Sequence, residues 1–162
     1  MKIPLIPDNE TERLCSLYKL TILDTAPEQR YDFITERVQS YFNVPIALIS
    51  LVDDSRQWFK SSQGLDAKET TREISFCGHA INQNGIFFVQ DTHEDVRFCD
   101  NPLVTSEPFI RFYAGAPIKT LEGYAVGTLC LIDTVPRIMT ENDQIVLREF
   151  ADMVESELNL QD

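Results

Sequence analysis

The sequence predicts an α+β fold in which a central antiparallel β-sheet is flanked by terminal helices. Three observations predict it. Amphipathic helical patterns lie near both ends of the chain, strand-like segments follow one another without crossover helices, and a long middle segment, residues 64–110, carries little regular structure. The 162 residues, 43% of them hydrophobic, are enough for one domain with a sizeable core, so we assign residues 1–162 to a single domain.

Two helices are predicted before the first strand. Residues 9–20 begin with the pattern of a capping box, Asn9 followed three positions later by Glu12, and residues 28–42 follow after a break at proline. Both segments repeat apolar residues at helical spacing. The stripe of the first helix comprises Leu14, Leu17 and Tyr18, and that of the second comprises Tyr31, Ile34, Val38, Tyr41 and Phe42.

Strands are predicted from runs rich in β-branched and aromatic residues. Residues 45–54 form a continuous apolar run typical of a buried strand, and residues 55–64 fit its antiparallel partner after a turn at the two aspartates. Further strands are predicted at residues 86–91, 109–120 and 124–133.

The remaining elements are a short helix and a closing helix. Residues 74–83 fit a short helix, whereas residues 92–108, with two prolines, are predicted to be irregular. The closing helix, about 140–160, begins with Thr140 and Asp143 in a second capping-box pattern. Its inner face comprises Val146, Leu147, Phe150, Val154 and Leu158.

The charge balance argues against several classes of partner. Fourteen Lys and Arg residues against 26 Asp and Glu residues give a net charge of −12, which repels nucleic acid and anionic membranes. Apolar runs are too short for a membrane helix, and the amino terminus lacks the apolar stretch of a secretion signal. We therefore expect a cytoplasmic protein with reduced thiols. Its cysteines are Cys15, Cys77, Cys99 and Cys130.

Several successive motifs carry a family resemblance. The segments "SFCGHAI", "VQDTHEDVRFCDNPLV", "IRFYAGAPI" and "GYAVGTLCLID", with the following "PR", resemble in order and spacing a bacterial subgroup of GAF domains. The resemblance covers about residues 14–160. Members of this subgroup occur attached to sensor histidine kinases and diguanylate cyclases, or alone.

The resemblance implies a fold and a function. It implies a GAF/PAS-like sheet with the terminal helices on one face and, on the other, a pocket roofed by loops and short helices. It further implies a non-catalytic sensory or regulatory domain that binds an unidentified small molecule, forms a homodimer through its terminal helices and regulates a signalling output protein. The cofactor, if there is one, stays unknown.

The short helix and the arginines supply the candidate site. The helix amino terminus could receive an anion, and an arginine fork at Arg97 or Arg111 would suit a carboxylate or phosphate. Alternatively, Arg97 pairs with a neighbouring aspartate and only holds the loop in place. The candidate ligand-binding residues are Trp58, Phe76, Cys77, His79, Arg97, Phe98, Asp100, Arg111 and Tyr113.

Other interpretations of Cys77 remain open. The simplest is that Cys77 packs in the core and His79 braces the roof. A thiol-dependent free methionine-sulfoxide reductase on the same fold would use Cys77 with Cys99, and a zinc site could combine these residues with His79 and His93. Bilin attachment is disfavoured because Gly78 separates the cysteine from the histidine, and the acidic motif of cyclic-nucleotide-binding GAF domains is missing. A dimerisation module with a vestigial pocket is the last alternative.

Overall fold

The structure, a computed structural model that describes residues 1–160, contains one six-stranded antiparallel sheet. The strands are β1 (Ile46–Val52), β2 (Arg56–Gln63), β3 (Glu69–Thr71), β4 (Phe87–Val89), β5 (Phe112–Lys119) and β6 (Ala125–Asp133). Their order in the sheet is β3-β2-β1-β6-β5-β4. The helices are α1 (Glu10–Lys19), α2 (Gln29–Phe42), α3 (Cys77–Ala80), α4 (Pro102–Thr105) and α5 (Glu141–Asn159). The predicted α+β fold with an antiparallel sheet is confirmed.

The sheet separates two hydrophobic cores. Because successive side chains of a strand point to opposite faces, β1 contributes Ile49 to the core under α1, α2 and α5, and Leu48 to the core on the other face. The strand β6 does the same with Leu129 and Cys130. This double burial explains why β1 is a continuous apolar run rather than an alternating one.

The helix α1 packs differently from its prediction. Asn9 occupies the N-cap position, but its side chain makes no capping hydrogen bond, so the predicted capping box is wrong. Leu17 is buried as expected, whereas Tyr18 is exposed and donates a hydrogen bond to Asp53. The inward position is taken by Arg13, whose side chain is 1% exposed and whose guanidinium donates to the carbonyl oxygen of Val52 at 2.8 Å.

The predictions for α2 and α5 are confirmed except for one position of α2. The helix α2 buries Ile34 and Val38 as predicted, but Tyr41 is 54% exposed. In α5 the predicted capping box is present: Asp143 N–H donates to Thr140 Oγ1 at 3.0 Å and Thr140 N–H donates to Asp143 Oδ2 at 3.1 Å. That box fixes the start of the helix that covers β5 and β6.

The middle segment contains more regular structure than its sequence predicts. The edge strand β3 lies in residues 64–110, where the sequence predicts little regular structure; its three residues are polar and carry no hydrophobic alternation. Short 3₁₀ turns occur at Arg72–Ile74 and Thr92–Glu94, and α4 follows. Of the helix predicted at residues 74–83, only the single turn α3 is α-helical. Just before this turn, Ser75 Oγ accepts a hydrogen bond from the Gly78 N–H at 3.0 Å.

Candidate functional site

A cavity of about 500 Å³ lies between the sheet and the middle segment. Its lining is mostly apolar, and its mouth is formed by the loop after β2 and the segment before β5. The sheet contributes Leu48, Phe59, Tyr113, Cys130 and Ile132, and the roof contributes Phe76, Cys77, Leu103, Phe109 and Ile110. A mostly apolar cavity of this size that opens to solvent at one side is typical of a small-molecule site.

Stacked aromatic rings form one wall of the cavity. The Phe76 ring lies 4.2 Å from the Phe98 ring at an angle of 11°, and 5.1 Å from the Tyr113 ring. Phe98 is fully buried behind Phe76 and is not among the residues that line the space. His79 contacts the edge of Phe98 at 4.9 Å. Of this group, Phe76 and Tyr113 face the cavity, while Phe98 and His79 support them.

The Cys77 thiol lies in a polar cluster at the base of the cavity. Tyr113 Oη lies 3.2 Å from the sulfur, and Thr128 Oγ1 donates to it at 3.1 Å. Burial raises the pKa of this thiol, but the hydrogen bonds of its neighbours outweigh burial and lower the pKa from 9.0 to about 6. The neighbours are Cys130, Ser50, Thr128 and Tyr113. The pKa of Cys130 is raised well above 9.0 because it lies beside the sulfur of Cys77, which takes the charge first.

His79 holds the amino-terminal segment against the roof. Its Nε2 donates to the carbonyl oxygen of Lys2 at 3.2 Å, and Asn82 Nδ2 donates to the carbonyl oxygen of Leu5 at 2.9 Å. Burial lowers the pKa of His79. Between the cysteine and the histidine, Gly78 faces Pro4: a Cβ at position 78 would lie 2.9 Å from the proline Cγ. The glycine thus makes room for the segment that leads into α1.

Both candidate arginines are paired with carboxylates. Arg97 donates twice to Asp95, at 2.9 and 2.6 Å, and its guanidinium lies 5.3 Å from the centre of the Phe98 ring. Arg111 donates to Asp91 at 3.1 Å. Neither arginine lines the cavity. The Arg97 pair lies within one loop of the middle segment, and the Arg111 pair joins the segment after β4 to the residue before β5.

The comparisons with known proteins agree with this geometry. The sequence pattern of the family described as "GAF domain" matches residues 26–158, which is most of the chain. The chain belongs to the GAF domain family. A cyclic di-GMP phosphodiesterase of Pseudomonas aeruginosa is 45% identical to this GAF domain over 155 residues, which are 95% of the chain and 26% of that protein. The chain therefore spans about a quarter of this relative.

Solved structures share the fold at low sequence identity. The GAF domain of an Acinetobacter phosphoenolpyruvate-protein phosphotransferase has a TM-score of 0.65 at 15% identity, covering 91% of this chain and 92% of that one. A free methionine-R-sulfoxide reductase of Neisseria meningitidis, solved with its substrate, has a TM-score of 0.65 at 16% identity, covering 98% and 95%. At such identities the likeness concerns the fold alone.

Two further candidate residues of this GAF domain lie apart from the cavity. Trp58 packs into the core on the helix face, because it follows Gln57 and precedes Phe59, and both of these line the cavity. Asp100 is exposed and forms an ion pair with the amino group of Met1 at 2.5 Å. The structure thus brings Phe76, Cys77 and Tyr113 together at the cavity and places the other candidates around it.

Sequence reasoning missed several residues of the cavity wall. Cys130 lines the cavity, and Thr128 lies on the same face of β6 without lining it; both were predicted only as part of a buried strand, although both contact the Cys77 sulfur. The signal was weak because both faces of β6 are apolar; only the hydroxyl of Thr128 distinguishes the cavity face. Leu48 was missed because β1 is an apolar run buried on both faces, whereas Phe59 and Ile110 join the cavity wall only through the fold of distant segments.

Metal and membrane sites find no support in the part of the chain that the structure describes. Within residues 1–160, no group of three or more His, Cys, Asp or Glu side chains is arranged to hold a metal ion. Cys99 and His93 are both exposed and do not line the cavity that Cys77 faces. Over the same residues, every helix is too short or too polar to span a membrane.

Proposed function

We propose that this chain is a non-catalytic regulatory GAF domain that binds a small molecule in the cavity and acts in cytoplasmic signal transduction. The observation that carries the proposal is the cavity of about 500 Å³, walled by Phe76, Cys77 and Tyr113. The wall is rigid, since its aromatic rings stack and its polar groups bond to one another. Such a preformed space needs no rearrangement of the core to admit a ligand.

The architecture supports a path from the cavity to the terminal helices. The cavity and the helices share the same strands, so a shift of β1 or β6 displaces both cores. A second connection runs from α3 through Lys2 and Leu5 into α1. A ligand that favours one arrangement of the roof would thereby bias the terminal helices.

The output is proposed to be a signalling enzyme. The relative from Pseudomonas aeruginosa is named a cyclic di-GMP phosphodiesterase, and the matched segment is 26% of it. We propose that this chain regulates an output of that class, in its own polypeptide or in a partner protein.

We also propose that the domain forms a homodimer through its terminal helices. Phe33 of α2 and Met153 of α5 are each 42% exposed and line a common groove. Light scattering should give the mass of a dimer, and the double variant Phe33→Glu/Met153→Glu should give that of a monomer. Val96→Glu is the matched control, because Val96 is 86% exposed and lies outside this groove. This variant should remain dimeric. A monomeric parent protein would reject this interface.

Mass spectrometry and thermal shift test the ligand proposal. The native mass of the purified protein should exceed its denatured mass, and compounds from a screen should raise its melting temperature. Ala67→Trp, at the exposed mouth, should abolish the thermal shift, whereas Glu94→Trp, exposed and outside the cavity, should retain it. Equal masses together with no stabilising compound would reject ligand binding and favour the dimerisation module with a vestigial pocket.

A thiol-dependent reductase is the second candidate, because Cys77 has a lowered pKa and faces the cavity. Its expected resolving residue, Cys99, is exposed, and Cys130 is the cysteine beside Cys77. Thioredoxin-coupled turnover of free methionine sulfoxide decides between the candidates. We expect none from the parent protein; turnover that Cys77→Ser abolishes would establish the enzyme.

A further inference from the structure

We infer that the cavity binds a small apolar amine in preference to carboxylates and phosphates. This inference rests on the proposed ligand-binding function and names the chemical class of the ligand. It follows from the charge of the cavity lining. The charged side chains of the described lining are negative, and no positive side chain there neutralises them.

The charged groups of the lining are all negative. Asp66 and Glu107 stand at the mouth, and over residues 1–160 neither carboxylate has an ion-pair partner. Lysine, arginine and histidine are missing from the lining that the structure describes. An entering anion would therefore lose hydration and meet only like charge.

The polar groups deeper in the cavity bond to one another. Gln57 accepts from Ser50 at 3.2 Å and donates to Thr70 at 2.7 Å. Tyr113 interacts with the Cys77 sulfur. Because these side chains have partners, the charged side chains that a ligand meets in the described lining are the two carboxylates at the mouth.

Aromatic rings of the lining also favour a cation over an anion. Phe59, Phe76, Phe109 and Tyr113 line the cavity, and the negative face of an aromatic ring attracts an ammonium group. The net charge of −12 adds a field of the same sign over the whole surface. The apolar part of an amine would fill the interior while its ammonium remains near Asp66 and Glu107.

Three probes that share the indole ring separate charge from shape. Tryptamine is cationic, tryptophol is neutral and indole-3-acetate is anionic at pH 7. Titration calorimetry at low ionic strength should show tryptamine binding about two- to fivefold more tightly than tryptophol, the advantage of a solvent-exposed ion pair. Indole-3-acetate should bind more weakly than tryptophol, and added salt should reduce these differences.

Variants test whether the preference for the cationic probe depends on the two carboxylates at the mouth. Asp66→Asn/Glu107→Gln should lower the affinity for tryptamine to that for tryptophol and leave tryptophol binding unchanged. Glu94→Gln removes an exposed carboxylate outside the cavity and should leave the affinity order intact. The inference is overturned if indole-3-acetate binds as tightly as tryptamine, or if none of the three probes binds. The native mass of the purified protein tests the proposed function separately from these outcomes.

Discussion

The sulfur of Cys77, on α3, lies 3.2 Å from the hydroxyl oxygen of Tyr113, on β5, at the base of the cavity. Tyr113 can lie flat over β5 because Gly115, two residues along the same face, has no side chain. A Cβ at position 115 would lie 2.3 Å from the tyrosine hydroxyl oxygen. Gly115 therefore makes room for the ring that completes the wall of the cavity.

The hydrogen bonds to the Cys77 sulfur, from Cys130 first and from Tyr113 among the others, lower the pKa of this buried thiol. In a Cys15→Ser/Cys99→Ser background, which removes the exposed thiols, the rate of alkylation by iodoacetamide should rise with a midpoint near pH 6, because the thiolate is the reacting form. Peptide mass mapping should place the adduct on Cys77. A midpoint at pH 8 or above, or an adduct on Cys130 instead, would contradict the assignment.

The tyrosine hydroxyl contributes to that acidity. Tyr113→Phe removes one of the groups that hydrogen-bond to the Cys77 sulfur while keeping the ring, so the alkylation midpoint should move to higher pH. Tyr124→Phe, which changes a tyrosine outside the cavity lining, is the control and should leave the midpoint unchanged. Equal midpoints in the three proteins would mean that the hydroxyl plays no part.

Gly78 is predicted to hold the amino-terminal segment on the roof. Gly78→Ala would place a Cβ 2.7 Å from Ser75 Oγ and 2.9 Å from Pro4 Cγ, so the segment should lift from α3. Hydrogen exchange at the Lys2 amide, which donates to the Arg97 carbonyl, should then accelerate. Gly85→Ala is the matched control, because a Cβ there meets nothing within 4 Å. Unchanged exchange in both variants would show that Pro4 does not depend on the glycine.

Glu10 is predicted to stabilise the protein at neutral pH by neutralising two buried arginines. Burial raises the pKa of this carboxyl, but hydrogen bonds from Arg13 and Arg72 lower it by more than burial raises it. The net result is a pKa lowered from 4.5 to about 2. A lowered folded-state pKa stabilises the fold above the unfolded value, and this stability is lost as the pH falls from about 4.5 to 2. Glu10→Gln should cost about 1.5–3 kcal/mol at pH 7.

The pH dependence separates this effect from simple packing. Urea unfolding should show the cost of Glu10→Gln shrinking toward pH 2, where the parent carboxyl is also losing its charge. Glu12→Gln, exposed on the same helix, is the control and should change stability by less than about 0.5 kcal/mol. A cost for Glu10→Gln that stays constant between pH 7 and 2 would rule out the charge effect.

Periodicity predicted the helices and the sheet, whereas the site depends on contacts between distant residues. The apolar run of β1 is local information, so it could be read directly. The ring pair of Phe76 and Phe98, and the meeting of Cys77 with Cys130, depend on how the middle segment folds back over the sheet. Arg13 illustrates the same limit, because its burial depends on a carbonyl 39 residues away.

The two capping-box patterns give the last prediction, since the same local pattern formed a box at one helix and not at the other. Thr140→Ala removes a side chain that accepts the Asp143 N–H, and should cost about 1 kcal/mol and fray the start of α5. Asn9→Ala removes a side chain at the corresponding position of α1 that makes no such bond, and should cost much less. Urea unfolding of both variants measures the difference. Equal costs would mean that the Thr140 hydrogen bond contributes nothing, and that the N-cap position alone accounts for the effect.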